Sequence, residues 1–468
     1  MDDPRENQAQ YVKNRRALLG GSEPELRRAA LDIAEAGIAA ADPGVAVRRE
    51  VRISGNRLTV CGRVLDLSGE RRVFIIGAGK ATYPVAEALD DLLGERIHAG
   101  LVVCKRGQEG ALAHMELLLA SHPVPDASSL AAAERTVKLL RQVRPGDVVL
   151  ACFTGGSSSL FVQPAAGISL GDLATTTQVL LTCGANIHEI NNVRKHFSTI
   201  KGGRLARMLP KGACLINLTV SDVIGDDLAY ITDPTVPDHS TFADARTVLD
   251  RYDLWQRLPA SVTTHIRRAA PEDESVRAEG LAHLDRSDFL LVKANEACFS
   301  AARAAARRGF TPLVLSTFFE GESSLLGRNF AAIAREVAQS GHPVAAPCAL
   351  IGGGETVVTT NGFGAMGRGG PNQEFTVGAA LELAGTKGIV ALGLDTDGTD
   401  GPTDYAGAIA DGRTVAVARA NGVSLRAALR DHDVSTALAA IGHHVVTGST
   451  GTNVNDLKLV IVGAGAQL

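Results

Sequence analysis

The sequence has few aromatic residues, no surplus of basic charge and no long apolar run. Aromatic residues are 4% of its 468 residues, and the net charge is −4. Nucleic-acid binders usually carry a basic surplus and aromatics for base stacking, so we expect no nucleic-acid partner. No apolar run approaches the ~20 residues of a membrane span, and the charged N-terminus does not resemble a signal peptide. We therefore expect a soluble cytoplasmic protein that binds no membrane.

The chain also lacks paired cysteines. Its seven cysteines are far apart and never form a C-x-x-C pair. A zinc site or a disulfide framework is therefore not expected, and a core thiol is the default interpretation of each cysteine.

What the chain does have is glycine, 50 residues in all, and a length that favours two or three domains. Short apolar runs alternate with helical patterns, which predicts α/β architecture with parallel sheets and helices on both faces. The charged segment 271–277 has no strand character, so we place the domain junction near it. The predicted strands lie at 73–76, 100–104, 148–152, 214–220, 289–292, 350–351 and 389–394. Ligands bind at the carboxyl ends of such strands, where this chain repeatedly carries glycine and polar residues.

The first such strand end carries Gly77, Gly79 and Lys80 at the start of a predicted helix, where backbone N–H groups favour anions. The segment matches neither a Walker A loop nor a complete G-x-G-x-x-G/A fingerprint, because Phe74 and Thr82 occupy required positions. Lys80 is positioned to neutralise a phosphate or carboxylate, and a solvated surface lysine is the alternative. Lys105 and Arg106 end the next strand, where they would suit a 2′-phosphate.

A second strand end, 154–159, combines permissive glycines with hydroxyl groups and predicts another anion cradle. Its candidate binding residues are Gly155, Gly156, Ser157 and Ser158. A solvent-exposed loop is the alternative. A nucleophilic serine is not supported, because G-x-S-x-G is not matched.

The segment 191–204 concentrates cations within one or two predicted helical turns. Asn192, Lys195 and Ser198 (or Thr199) would share one face, and Arg194, Ser198 and Lys201 an adjacent one. The alternatives are a solvated basic helix and a clamp for a carboxylate or phosphate.

Carboxylates follow two further apolar strands. Asp222 is a candidate metal ligand or a base that takes a hydroxyl proton, whereas Asp226 is either a second such group or a helix cap. Asp395, Asp397 and Asp400 follow the strand at 389–394, and Mg²⁺ shared with phosphates suits them better than an EF-hand does.

The remaining candidates lie in the second half of the chain. Glu355 stands beside a permissive 352–354 loop that includes Gly353 and Gly354, and Asn295 follows the strand at 289–292. Arg368 is flanked by glycines shortly before Asn372, from where it would reach over a phosphoryl group.

Taken together, these segments resemble the glycerate 2-kinase family, whose C-terminal part is the MOFRL domain. The resemblance covers roughly residues 20 to 465. The matching stretches are GAGKA at 77–81, SHPVPD at 121–126, FTGGSSSL at 153–160, NNVRKHFSTIKGGRLA at 191–206, TVSDVIGDD at 219–227, GGGETVV at 352–358, GRGGPNQE at 367–374 and DTDGTDGPTDYAG at 395–407.

The resemblance implies a Rossmann-like N-terminal α/β/α domain (1–275), a C-terminal MOFRL-type α/β domain (285–468) and an active-site cleft between them. It implies that ATP and Mg²⁺ phosphorylate the 2-hydroxyl of D-glycerate, giving 2-phosphoglycerate and ADP. Lys80 matches the family's essential lysine, Arg368 the arginine of its Gly-Arg-Gly-Gly motif, and Asp222 the aspartate after the apolar strand. Some members have been labelled hydroxypyruvate reductases, so NAD(P)H-dependent reduction is the alternative; a non-enzymatic binding module is a third. A homodimer is left open.

On this interpretation the cradle residues and the 352–354 turn hold the triphosphate and substrate. Lys80 and Arg368 stabilise the transferring phosphoryl group, and Asp222 with Asp395 or Asp397 holds Mg²⁺. The side chains of Asn192, Arg194 and Lys195 orient the substrate carboxylate.

Overall fold

The computed structural model describes residues 11–108, 110–359 and 367–468, which form two compact units. The parallel-sheet unit comprises residues 43–292. The mixed-sheet unit comprises the described residues up to Asp42 together with residues 293–468.

The strands are β1 Val51–Ser54, β2 Arg57–Val60, β3 Arg63–Asp66, β4 Val73–Ala78, β5 Ile97–Lys105, β6 Glu116–Ala120, β7 Val148–Phe153, β8 Cys214–Val220, β9 Asp285–Val292, β10 Thr311–Phe319, β11 Cys348–Gly354, β12 Lys387–Asp395, β13 Gly407–Asp411, β14 His444–Val445 and β15 Asp456–Gln467. The α-helices are α1 Arg15–Leu18, α2 Pro24–Ala40, α3 Pro43–Glu50, α4 Thr82–Leu93, α5 Ala127–Leu140, α6 Ser157–Leu160, α7 Leu170–Thr182, α8 Ile187–Lys195, α9 Arg204–Arg207, α10 Leu228–Ile231, α11 Phe242–Arg251, α12 Ala260–Arg268, α13 Glu296–Arg307, α14 Ser323–Ser340, α15 Pro371–Glu382, α16 Thr414–Ala420, α17 Leu425–Arg430 and α18 Val434–Ile441. Short 3₁₀ helices cover Gly94–Arg96, Pro271–Asp273 and Ala278–Leu281.

The parallel-sheet unit is built on a six-stranded sheet of order β6-β5-β4-β7-β8-β9, in which every neighbouring pair is parallel. Strands β4, β7 and β8 are buried along their whole length. Continuous apolar burial is typical of a parallel strand covered on both faces, so the predicted Rossmann-like sheet is confirmed. A separate antiparallel meander, β1-β2-β3, belongs to the same unit.

The mixed-sheet unit departs from the all-parallel expectation. Its sheet has the order β10-β11-β15-β12-β13-β14, and only β10 and β11 run parallel as neighbours. The last strand of the chain, β15, is inserted antiparallel between β11 and β12. Its long-range hydrogen bonds decide this topology, and a local pattern of alternating strands and helices does not reveal them.

The division into compact units differs from the predicted limits of 1–275 and 285–468. Strand β9 pairs with β8 and therefore belongs to the first sheet. Helix α2, by contrast, buries Ile33 and Ile38 in one core with Ala301 of α13 and Leu459 of β15. Helix α2 thus packs against elements of the mixed-sheet unit that are far from it in the sequence.

None of the helices in the described part of the chain is long and apolar enough to cross a membrane.

Candidate active site

Three predicted groups meet at the carboxyl edge of the parallel sheet, where adjacent strands β4, β7 and β8 end. The backbone N–H of Lys80 donates to the carbonyl oxygen of Gly155 at 2.8 Å. The carboxylate of Asp222 lies so close to Gly155 that a Cβ atom on the glycine would overlap it. Lys80 and Asp222 are both partly exposed. The parallel topology therefore brings a cation, a carboxylate and a permissive turn together.

The glycines of the first turn serve packing. Gly79 has φ +147°, and a Cβ atom there would overlap the side chain and carbonyl of Thr154. Thr154 in turn accepts a hydrogen bond from Ala81 N at 3.2 Å. Gly79 thus lets the β4 and β7 turns approach each other, and its predicted part in anion binding stays a prediction.

One residue beside Gly156 was not predicted from the sequence to belong to the site. His122 follows β6 at the same edge of the sheet, and its Nε2 would lie 3.3 Å from a Cβ atom on Gly156. The Cγ atom of Lys80 would lie 3.1 Å from the same position. The stretch 121–126 marks the family resemblance, but only the fold brings its imidazole beside Lys80.

The second cradle is formed around α6. Gly156 is its N-cap in the left-handed region, with φ +83°. Arg194 of α8 supports this turn from within the unit: its guanidinium donates to Ser158 Oγ at 2.9 Å, Ser158 O at 2.7 Å and Ser159 Oγ at 3.1 Å. Ser157 is buried and Ser158 partly exposed. Burial lowers the pKa of Arg194 to about 10.

The other cations of segment 191–204 are paired inside the protein. Lys195 Nζ lies 2.9 Å from Asp238 Oδ1, with 1% of its side chain exposed. Burial tends to raise the pKa of Asp238, but the Lys195 ammonium outweighs burial and contributes to lowering that pKa to about 2. Lys201 Nζ lies 3.5 Å from Asp233 Oδ2. Direct substrate contact by Arg194, Lys195 or Lys201 stays a prediction, and the structure places all three in the buried interior.

The predicted shared helical faces are wrong for Ser198 and Lys201, because α8 ends at Lys195. The chain then turns, and Ser198 Oγ accepts from Lys201 N at 3.3 Å. Asn192 remains on the helix, partly exposed, and accepts a hydrogen bond from the Tyr230 hydroxyl at 3.3 Å. The helix cap near Asp222 is provided by Asp227, which accepts from Ala229 N, and not by Asp226.

In the mixed-sheet unit, the predicted 352–354 loop is wrong, because strand β11 continues to Gly354. Gly353 is paired with Leu457, and Gly354 with both Phe319 and Asp456. Added Cβ atoms would overlap Cys298 at Gly353 and the Phe319 backbone at Gly354. These glycines allow close packing within the sheet; their binding of a ligand stays a prediction.

The acidic run does follow a strand end. The register sets Asp395 beside Asp456 at the end of β12. Asp395 Oδ1 accepts from Asp397 N at 3.0 Å, and Asp397 Oδ1 accepts from Thr399 N at 2.8 Å. Both side chains are partly exposed, whereas Asp400 is buried.

Beneath this edge lies a buried polar network that we name the Asn372 network. Asn372 Nδ2 donates to Asp456 Oδ1 at 2.6 Å, while Lys458 Nζ donates to Asn372 Oδ1 at 3.0 Å and Asp456 Oδ2 at 2.8 Å. Asp456 Oδ2 also accepts from the backbone and hydroxyl of Thr356, both at 3.1 Å. Sequence analysis predicted Asn372 as a site residue but missed Lys458. The charge of Lys458 within an apolar strand is the feature that could have identified it.

Asp400 joins this network from the acidic run. It accepts from the backbone N–H groups of Asn372 and Gln373, both at 2.9 Å. Burial raises the Asp400 pKa to about 6, although these donors act in the opposite direction. The network therefore fixes the start of α15 to the acidic run.

Arg368 lies at a bend just before α15, and its side chain is exposed. Its backbone is fixed on both sides: Arg368 N donates to Asp433 Oδ1 at 2.9 Å, and its carbonyl accepts from Ser435 N at 2.8 Å. A cavity of about 370 Å³ lies next to it, lined by Thr356, Gly370 and Glu374 among others. His432 contacts Glu374 at 2.8 Å.

Two further predicted residues lie at element ends. Glu355 is exposed directly after β11, and its N–H donates to Phe319 O at 3.0 Å. Asn295 is the N-cap of α13, without a side-chain capping hydrogen bond. Their roles stay predictions.

No group of three or more His, Cys, Asp or Glu residues within the described ranges is arranged to hold a metal ion by itself. Mg²⁺ is usually held by one or two carboxylates together with substrate phosphates and water, so it does not require such a group.

The chain is similar to two protein families and to several known proteins. Residues 29–267 match the family described as a domain of unknown function, DUF4147, and residues 348–456 match the MOFRL family. The second match lies wholly within the mixed-sheet unit.

A Pyrococcus horikoshii protein named glycerate 2-kinase is 40% identical over 94% of this chain and 98% of its own. An Agrobacterium vitis protein named putative hydroxypyruvate reductase is 39% identical over 98% and 100%. The crystal structure of a Thermotoga maritima glycerate kinase, 36% identical, aligns with a TM-score of 0.78 over 93% of this chain and 99% of that one. The chain therefore belongs to the glycerate 2-kinase family.

Proposed function

We propose that this protein is a glycerate 2-kinase, which transfers a phosphoryl group from ATP to the 2-hydroxyl of D-glycerate and releases 2-phosphoglycerate and ADP. The observation that carries the proposal is the meeting of Lys80, Gly155 and Asp222 at the carboxyl edge of the parallel sheet. The named glycerate 2-kinase relative, similar over nearly its whole length, supports it.

Phosphoryl transfer depends mainly on positioning and on stabilising negative charge. In our proposal the Lys80 ammonium neutralises the transferring group, and Gly155, Gly156 and the Ser158 hydroxyl bind phosphate oxygens. Asp222 accepts the hydroxyl proton of glycerate, for which a partly exposed carboxylate at a strand end is suited. His122, beside Gly156, is a further group in reach of the same anion.

The mixed-sheet unit contributes Arg368, an exposed cation on a rigidly held backbone. Asp395 and Asp397 are the proposed metal ligands of this unit. Mg²⁺, when bound, would supply positive charge to the phosphate oxygens. The Asn372 network does not contact substrate in this proposal; it holds the backbone that carries Arg368 and Asp395.

Two observations argue against hydroxypyruvate reductase activity, the alternative that the name of the Agrobacterium relative suggests. The Gly79 turn is filled by Thr154, where a dinucleotide would need close approach to the backbone. Arg106, a candidate for a 2′-phosphate, already donates to Asp126 at 2.8 Å and to Ser128 at 3.1 Å.

A paired assay on the purified protein tests the proposal. One arm follows ADP release from ATP and Mg²⁺ with D-glycerate, and the other follows NAD(P)H oxidation with hydroxypyruvate. We expect ADP formation that requires both glycerate and Mg²⁺. Nicotinamide oxidation without ADP formation would refute the kinase, and identification of the phosphorylated carbon by NMR tests the 2-position.

Two variants test the assigned roles. Lys80→Ala and Arg368→Ala should each lower kcat/KM by about 10²-fold or more, since each removes charge stabilisation from the transition state. Lys211→Ala, a change at an exposed lysine just before the amino end of β8 and therefore away from the carboxyl edge, is the matched control. If either site variant kept more than about half of kcat/KM, a loss below ~0.4 kcal/mol, its assigned role would fail.

A further inference from the structure

A small cavity lies inside the parallel-sheet unit, beneath the Ser158 turn. Its volume is about 10 Å³, and its polar lining consists of Ser158, Arg194, Ser198 and Lys201. Val162, Leu173 and Phe197 line the rest. Such a volume suits one particle of about the size of a water molecule.

Lys201 lines this cavity, and its buried ammonium lacks a hydrogen-bond partner among the described residues. The residue is 3% exposed. The ion pair with Asp233, at 3.5 Å, is longer than a charge-assisted hydrogen bond. A buried donor without a partner is costly, so the geometry requires a ligand that accepts hydrogen bonds.

The buried charges around the cavity do not balance. Arg194 donates to neutral oxygens of Ser158 and Ser159. Asp233 is the carboxylate that attracts Arg194, Lys201 and the buried Arg204, and its Oδ1 also accepts from Gly202 N at 2.6 Å. Lys195 is compensated separately by Asp238. Asp233 therefore faces more than one buried cation, which leaves an excess of positive charge in a buried place.

We infer that this cavity binds a monatomic monovalent anion of the halide class, chloride being the occupant, held between Lys201 and Arg194. A water molecule satisfies the donor but leaves the charge unbalanced. A substrate carboxylate or a phosphate has several heavy atoms and exceeds the space. Because Arg194 also holds the Ser158 turn, the anion acts as a structural ion that joins α8 to the cradle.

Thermal unfolding of the full-length protein tests the inference independently of any kinase activity. Melting is compared in sodium chloride and sodium gluconate at equal ionic strength and pH 7. A ligand that binds only the folded state raises Tm in a saturable manner, so we expect Tm to be about 2–4 °C higher in chloride. Sodium bromide should act like chloride. Equal Tm values in chloride and gluconate would overturn the inference.

A variant and a control assign the effect to this cavity. Lys201→Met replaces the ammonium by an apolar group of similar length and should abolish the chloride dependence, whereas exposed Lys211→Met should retain it. If Lys201→Met does not fold, crystals of the wild-type protein in sodium bromide decide the matter. Anomalous bromine density between Lys201 and Arg194 would support the site, and its absence there would refute it.

Discussion

The two sheet edges of this protein place their polar groups in opposite ways. At the edge of the parallel sheet, Lys80 and Asp222 are themselves partly exposed, and buried ion pairs such as Lys195–Asp238 lie in the interior of the same unit. At the edge of the mixed sheet, the exposed Arg368 is held by its backbone, and the Asn372 network lies buried beneath it.

The difference shows how a strand end becomes a site. In a parallel sheet, the carboxyl ends of neighbouring strands meet at one edge, so loop side chains converge through topology alone. In the mixed sheet, the antiparallel β15 begins where β11 and β12 end. Its first residues, Asp456 and Lys458, supply the support from inside, so this edge depends on buried polar contacts for its shape.

The largest expected effect is on catalysis at the parallel-sheet edge. Asp222→Asn should lower kcat by about 10³-fold, or ~4 kcal/mol, because an amide does not accept the hydroxyl proton. Steady-state kinetics would measure the loss, with ATP binding followed by calorimetry.

Asp226→Asn is the control for Asp222→Asn. Asp226 has φ +61°, a conformation that Asn tolerates, so this variant should stay within about twofold of wild-type activity. An Asp222→Asn enzyme with unchanged kcat would remove the base from our proposal.

Substitutions in the Asn372 network of the mixed-sheet unit should mainly lower the stability of the protein. Lys458→Met leaves Asp456 without its buried cation and should lower the free energy of unfolding by about 3 kcal/mol. Urea denaturation measures it.

Arg430→Met is the comparison variant for Lys458→Met, because it removes an exposed ion pair with Asp431 and should leave the free energy of unfolding nearly unchanged. Equal losses in the two variants would mean that the Asn372 network carries no special weight.

The stability of the two units should respond differently to acid. Burial lowers the pKa of His443 and of His444 to about 4, both in the mixed-sheet unit. Below their unfolded pKa of about 6.5 the unfolded chain binds more protons, so stability falls as pH decreases from about 6.5 to 4. Each imidazole should contribute about 2 kcal/mol of loss between pH 7 and 5, and His444→Gln should remove its share.

Asp400, with its raised pKa, acts in the opposite direction and offsets part of that loss. In the parallel-sheet unit, the stability that the lowered pKa of Asp238 contributes disappears only as pH falls from about 4 towards 2. Urea denaturation at pH 7 and 5 tests this, with exposed His98→Gln as the control. An unchanged pH dependence in His444→Gln would contradict the assignment.

The smallest effect concerns the loop that carries His122. Asp126 caps α5 by accepting from Ser128 N and Ser129 N. Asp126→Ala should lower the free energy of unfolding by about 1 kcal/mol. Glu134→Ala, at an exposed position of the same helix, should change it by less than about 0.5 kcal/mol. If Asp126→Ala lowered the free energy of unfolding no more than Glu134→Ala does, the cap would be dispensable.

Much of the parallel-sheet unit follows from local sequence. Strands β4, β7 and β8 are continuous apolar runs ended by glycine or polar residues, and such runs specify buried parallel strands. That pattern also predicted that Lys80, the Gly155 turn and Asp222 lie at strand ends. The glycines at 352–354 were wrongly predicted to form a loop. The sequence shows that they permit a flexible backbone, but it does not show that Cys298 and the Phe319 backbone pack too closely for any side chain there.

The sequence by itself determined the α/β class, the strand ends and the kinship, because apolar periodicity and short motifs are local properties. Only the tertiary structure decided the partners of the charged residues. Lys195 meets Asp238, 43 residues away, and Asn372 meets Asp456, 84 residues away. Whether a cation faces a ligand or a buried carboxylate depends on such distant contacts, since burial and pairing are set by packing and not by neighbours in the chain.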